Sequence, residues 1–168
     1  QSSPVIPRVG FPLGTRGQMF SLNPRRANAL KPGKRPRTTL TPSLALRDGR
    51  PWMVFGTPGG DQQDQWTLQF FLNVVEHGMD LQEAIDSPTV HTAHFPSSFY
   101  PRGAELNKMY VEGRIPTETR DALVAKGHEV GVDEDWVHGR VMGARINANG
   151  VIEGAASPRD RMAYAIGW

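Results

Sequence analysis

The chain of 168 residues is long enough for one domain with its own hydrophobic core, and its 38% apolar content is ordinary. A formal charge of +2 gives little reason to expect a polyanion partner, and no apolar run is long enough to cross a bilayer. The lack of cysteine excludes disulfides, thiolate metal sites and a cysteine nucleophile, and leaves the compartment open.

Residues 1–37 are expected to be irregular. Six prolines from Pro4 to Pro36 remove backbone donors and fix φ, and Gly10, Gly14, Gly17 and Gly33 add punctuation. A long irregular stretch in a compact domain is usually functional or packed against something else. Around Arg16 and Gln18, three glycines make either a substrate-lining loop or a plain covering loop. Gln1 to Gly10 has neither the basic nor the apolar region of a signal peptide, and the start without methionine is what a processed or trimmed chain would show. The basic residues Arg25, Arg26 and Lys31 to Arg37 are broken up by Pro and Gly. No aromatic residue interleaves with them to stack on bases, so they read as a solvated or ion-paired loop and no nucleic-acid partner is expected.

From residue 38 onward, sheet and helices are expected within the same single domain. Thr38 to Leu46, the turn Asp48-Gly49 and Trp52 to Phe55 form a hairpin pattern. Gly56-Thr-Pro-Gly-Gly60 then opens a helix over about 62–77, capped by Asp61 and ended by Gly78, with Leu68, Phe71, Leu72 and Val75 as an apolar stripe. Trp66 and Phe70 add apolar bulk elsewhere on the helix, so both faces are expected to be covered. The two glycines at the helix start leave amide N–H groups unshielded, which suits an anion or a developing oxyanion. A tight turn that merely needs glycine dihedrals would look the same.

Asp80 to Glu83 has the spacing of a capping box for a short helix that Ser87-Pro88 stops. His91 and His94 lie between Pro88 and Pro96 with no obvious third ligand, so they are expected to be ordinary loop histidines and no metal is expected. Tyr110 to Glu112 reads as a strand. Pro116 opens a helix with Ala122 and Leu123 facing inward, and Lys126-Gly127 ends it. Glu129 to Val132 reads as another strand, and Asp133 to Asp135 as a solvated acidic turn. Arg140 to Asn147 alternates, with Met142, Ala144 and Ile146 on one side, and Asn149-Gly150 turns it into Val151 to Gly154. The fold class is therefore α+β with a largely antiparallel sheet.

Several of these segments together resemble one family. Ala27-Asn-Ala-Leu-Lys-Pro-Gly-Lys-Arg-Pro-Arg-Thr-Thr-Leu-Thr-Pro42 precedes the hairpin. Gly56 to Gly60, then Leu72-Asn-Val-Val-Glu-His-Gly-Met-Asp-Leu-Gln-Glu-Ala-Ile-Asp-Ser-Pro88 with His91, and finally Gly154-Ala-Ala-Ser-Pro-Arg159 follow in order. From about Gly10 to the C-terminus the chain is similar to the small subunit of γ-glutamyltranspeptidases, which are N-terminal-nucleophile hydrolases. The resemblance implies a four-layer αββα sandwich completed by a large subunit cut from the same precursor. It also implies a small-molecule γ-glutamyl or glutaryl amide substrate and no cofactor.

A Thr at the small subunit's N-terminus would be nucleophile, with its own amine as base. That Thr is expected upstream of Gln1, since neither Gln1 nor Ser2 nor Ser3 can take its place; otherwise the chain is a catalytically inactive assembly subunit. The family's oxyanion-binding glycines fall on Gly59 and Gly60. Its carboxylate-holding Ser-Ser pair falls on Thr38 and Thr39. Where typical members carry an acidic segment that holds the substrate ammonium, this chain has Gly14-Thr-Arg-Gly-Gln-Met-Phe20. Gln18 and Met19 then stand in the acidic positions and Arg16 adds a positive charge. Matching Gln-Met instead puts Phe20 and Ser21 there, again without a carboxylate.

Overall fold

A computed structural model describes residues 4–159 and 163–167. The expectations drawn from Gln1, Ser2 and Ser3 lie outside the described residues. Among the described residues, 4–42 hold no strand, and a single 3-10 turn, Thr15–Met19, interrupts them. The hairpin forms as β1 (Ser43–Arg47) and β2 (Arg50–Gly56), antiparallel. Asp48 at φ 52° and Gly49 at φ 75° provide the two left-handed residues that a tight hairpin turn requires.

Helix α1 spans Gln63–Val75 and α2 spans Leu81–Asp86. The capping box holds: the Glu83 amide donates to Asp80 Oδ1 at 2.8 Å and Glu83 Oε2 accepts from the Asp80 amide at 3.1 Å. Strands β3 (Val90–Thr92) and β4 (Lys108–Glu112), helix α3 (Thr117–Ala125), and strands β5 (Glu129–Asp133), β6 (Met142–Ile146) and β7 (Ile152–Ala156) follow. Pro116 stands one residue earlier than expected, at the N-cap of α3. Leu123 is half-buried, but Ala122 is exposed, because α3 buries none of its residues fully.

The strands form two sheets, not one. β1-β2-β6-β7 is antiparallel throughout, while β3-β4-β5 pairs β4 with β5 in parallel. A parallel neighbour needs a crossover, and α3 supplies it. His91 therefore lies in a strand, and Asp133 ends a strand where an acidic turn was expected.

Met53, Phe70, Val74, Leu81, Ala84, Ile85 and Ala155 build the core between the first sheet and helices α1 and α2. Gly143 leaves room for Phe70: a Cβ there would lie 3.2 Å from Phe70 Cζ. The inward stripe of α1 is Gln63, Trp66, Thr67, Phe70 and Val74. Leu68, Leu72 and Val75, expected to form the stripe, are exposed. The reason lies in β3, whose free edge draws α1 by side-chain amides. Gln65 bonds both the amide and carbonyl of Thr92, and Gln69 does the same for Val90. These glutamines replace the missing strand neighbour and so satisfy the edge.

At the far end, Glu112 has no exposed surface. It accepts from Arg159 at 2.7 and 2.8 Å, from Arg114 at 2.7 Å, and from the amides of Thr89, Val137 and His138. Burial alone would raise this carboxyl, but the bonds from Arg159, His138 and Arg114 outweigh it and hold its pKa at about 2.

The other face of the first sheet is apolar and open. Leu44, Val54 and Met142 stand on it beside Ile146 and Ile152, at 61%, 50%, 44%, 43% and 74% exposure. The alternation read at 142, 144 and 146 is correct, and it points outward. The chain exposes 11759 Å², whereas a monomer of 18.6 kDa ordinarily exposes about 8,200 Å². The excess is the size of surface that obligate interfaces bury. Residues 1–168 expressed alone are accordingly expected to aggregate or to bind ANS. A monodisperse monomer with a cooperative melt would contradict this.

Candidate active site

Strand β2 runs out at Gly56 into a turn whose first residue, Thr57, is buried. The Thr57 hydroxyl donates to Pro58 O at 2.8 Å and accepts from the Arg140 amide at 2.7 Å, so the turn is pinned to the loop entering β6. Gly59 and Gly60 follow at φ 140° and 84°, a left-handed pair that side chains strongly disfavour. A 3-10 turn, Gly60–Gln62, then leads into α1.

Asp61 does not cap the helix. Its Oδ2 accepts from the Ser98 amide at 2.7 Å and the Ser97 hydroxyl at 3.2 Å, and the N-cap is Gln62 without a side-chain bond. Local sequence favoured a cap, but a loop from residue 97 onward competes for the same carboxylate. Burial opposes ionisation of Asp61, yet the bonds from Ser98 and Ser97 and the charge of Arg37 hold its pKa below the ordinary value.

That loop carries Phe99 to within 3.7 Å of where a Gly60 Cβ would stand. Arg102 fastens it, donating to Ser98 O at 3.0 Å, Met19 O at 3.2 Å and Phe20 O at 3.0 Å. In this way the irregular N-terminal segment is brought against the glycine turn.

The result is a cleft of about 570 Å³ lined by Thr15, Arg16, Gln18, Thr39, Leu40, Thr57, Pro58, Gly59, Gly60, Gln63 and Phe99. Of the residues read from sequence, Arg16, Gln18, Thr39, Gly59 and Gly60 meet there. Thr38 and Met19 do not line it. Thr38 is exposed, with its Oγ1 accepting from the Leu40 amide, and Met19 is fully buried, presenting its carbonyl to Asn28 and Arg102. The Thr39 hydroxyl is buried without a hydrogen-bond partner among the described residues. A hydroxyl left so costs free energy unless a ligand or another chain answers it. Among the described residues, none of those lining the cleft is acidic.

Beneath the turn lies a cluster that the sequence reading missed. Trp66, one turn into α1, is buried, and a Cβ on Gly59 would fall 2.4 Å from its Cζ3. His91 meets the indole edge-on with ring centroids 5.4 Å apart, and its Nδ1 lies 3.2 Å from His138 Nδ1. His138 Nε2 is 2.8 Å from Asp133 Oδ2. His94 takes no part; its Nδ1 accepts from the Asn107 amide. The signal for Trp66 was present, since a helical side chain leans toward the N-terminus and covers the preceding turn. Nothing local pointed to Arg102, Phe99 or His138.

Comparison with known proteins agrees with this architecture. The sequence profile of the family described as Gamma-glutamyltranspeptidase matches residues 1–167, and the chain belongs to that family. The solved structure of LmbA2991HD is 52% identical, with a TM-score of 0.90 over 100% of this chain and 30% of that one. The oxamate amidohydrolase proenzyme of Klebsiella pneumoniae subsp. pneumoniae is 35% identical over 167 residues, which are 98% of this chain and 30% of that protein. Gamma-glutamyltranspeptidase from Pseudomonas nitroreducens, complexed with L-DON, is 26% identical with a TM-score of 0.74, over 98% of this chain and 86% of that chain. The α+β fold is thus that of γ-glutamyltranspeptidase-type N-terminal-nucleophile hydrolases. The chain spans less than a third of the length of the curated relatives it matches.

The histidine pair generates a pH prediction. Burial first, then the charge of His138, lowers the His91 pKa from 6.5 to about 4, against a smaller opposing pull from Asp133. The unfolded chain therefore takes up this proton before the folded one does. The stability that His91 contributes is complete above pH 6.5 and is lost as pH falls towards about 4. The melting temperature of the wild-type protein, with its partner segments present, is expected to fall more steeply across that window than that of His91→Phe. Parallel curves would assign the acid loss to other groups.

Proposed function

We propose that this chain is the small-subunit portion of an amide-cleaving or acyl-transferring enzyme, working with a large subunit from the same precursor and an N-terminal Thr supplied from outside these residues. The Thr hydroxyl adds to the substrate amide carbon while its own α-amine takes the proton. The carbonyl oxygen becomes an oxyanion that accepts from the Gly59 and Gly60 amides. The C–N bond then breaks, the leaving amine receives the proton, and the acyl ester passes to water or to an acceptor amine. Thr39 holds the carboxylate of the acyl group, with Arg16 adding positive charge to the same cleft.

What carries this reading is the meeting of Gly59, Gly60, the unpartnered Thr39 hydroxyl and Arg16 around one cleft. Replacing Gly60 with Val is expected to lower turnover on the order of a hundredfold with the assembly intact, since a β-branched residue cannot hold φ 84° and misaims an oxyanion donor. Unchanged turnover would reduce the turn to a structural role.

The same cleft argues for the substrate class. A γ-glutamyl donor carries an α-carboxylate and an α-ammonium on one carbon. The carboxylate is answered by the Thr39 hydroxyl and Arg16, but among the described residues no lining side chain offers the ammonium a negative charge. Losing a charged partner costs recognition about 2–5 kcal/mol, or roughly thirtyfold to several thousandfold. The favoured donors are acyl groups without the amine, such as glutaryl amides, or donors whose amine is itself acylated. Oxamate, for which one relative is named, is likewise an amide with a carboxylate and no ammonium. Steady-state kinetics of the complete enzyme on paired γ-glutamyl and glutaryl anilides tests this, with the glutaryl compound expected to show the higher kcat/KM. A clear margin for the γ-glutamyl compound would mean that a residue outside this cleft holds the ammonium.

A further inference from the structure

The indole of Trp66 is in contact with both segments that fix the glycine turn. On one side a Cβ at Gly59 would lie 2.4 Å from Cζ3 and 3.3 Å from Cη2; on the other a Cβ at Gly139 would lie 3.1 Å from Cγ. Neither glycine can gain a side chain without displacing the ring, so backbone and indole are packed at the closest approach two glycines allow. The loop that carries Gly139 also sends the Arg140 amide to the Thr57 hydroxyl at 2.7 Å. His138, in the same loop, is held at its backbone amide by Glu112 Oε1 at 3.1 Å and at its ring by Asp133 at 2.8 Å. His91, stacked on Tyr110 and bonded to His138, closes the edge of the indole.

From this packing we infer that Trp66, braced by His91, His138 and Gly139, is the positioning residue that aims the Gly59 and Gly60 amides. The inference rests on the oxyanion role proposed for those amides. Among the described residues that line the cleft, Trp66 is not included. It acts through Gly59, whose φ of 140° is set by the ring beneath and by the Thr57 anchor before it. A donor pair that must meet a developing charge gains from a rigid floor, because small misplacements at such sites carry large rate penalties.

The test compares Trp66→Phe and Trp66→Leu in the complete, assembled enzyme. With a glutaryl anilide, kcat is expected to fall roughly tenfold to a hundredfold for Leu and less for Phe, with KM unchanged. Hydrogen exchange read by mass spectrometry should show faster exchange of residues 57–61 in the Leu variant, while residues 142–146 keep wild-type protection. Unchanged kcat together with unchanged exchange at the turn would make Trp66 core filling only. A raised KM at constant kcat would also overturn the inference, by giving the ring a part in binding. If the Leu variant loses protection at 142–146 as well, it has unfolded, and the Phe variant decides by the same two readings. If the wild-type enzyme cleaves no anilide yet Leu opens the turn selectively, the proposed activity fails and the positioning role stands.

Discussion

Glu112 sits at the junction where four stretches of chain converge, and it carries a charge with no exposed surface. Its two oxygens are shared among Arg159, Arg114 and the amides of Thr89, Val137 and His138. Arg159 in turn reaches Ile85 O at 2.6 Å and Ser87 O at 2.8 Å, closing the end of α2. Trp136 lies under the Arg114 guanidinium at 3.4 Å. A buried ion pair adds little net stability when complete, but losing one partner costs about 3–5 kcal/mol, because the other charge is stranded. What the pair provides is register: the C-terminal stretch, the end of β4 and the loop before β6 have one arrangement in which every donor and acceptor is answered.

The consequences travel towards the cleft by contact. Glu112 holds the amides of Val137 and His138; that loop presents Gly139 to Trp66 and the Arg140 amide to Thr57. Those two contacts bear on the same four-residue turn. Two left-handed glycines in succession are conformationally loose by themselves, and here that freedom is removed from outside. Arg102 performs the matching task for the other wall, tying the proline-rich segment to the loop that carries Phe99. The cleft is thus assembled from an irregular segment and a strand-to-helix junction, the first fastened by Arg102 and the second by the Arg140 amide, both distant in sequence, with the Trp66 ring beneath the turn.

The molecule is finished on one side and open on the other. Helices α1 and α2 cover one face of the first sheet, and its opposite face presents Leu44, Val54 and Ile152. In the reading proposed above this open face belongs to the layer beneath, so cleft and assembly are two aspects of one incomplete sandwich. The buried Thr39 hydroxyl, without a partner among the described residues, makes the same point at atomic scale, since such a group is satisfied in a finished site.

Much of this was determined by the sequence alone, wherever the cause was local. The Asp48-Gly49 hairpin, the Asp80 capping box, the Gly78 and Gly127 helix ends and the glycine turn before α1 follow from dihedral preference and short-range hydrogen bonding. The ordered motifs also disclosed the family, and with it the residues to look for in a site. Only the tertiary structure decided what depended on competition between distant groups. Asp61 was free to cap a helix until Ser97 and Ser98 offered better donors. The exposed and buried sides of α1 were undecided while both looked apolar, until Gln65 and Gln69 found the edge of β3. Thr39 reached the cleft and Thr38 did not, although they are adjacent and chemically alike, because the exposed Thr38 hydroxyl is taken up by the Leu40 amide two residues on. Periodicity records which residues prefer to be buried. The partner that buries them is set by the closure of the whole chain.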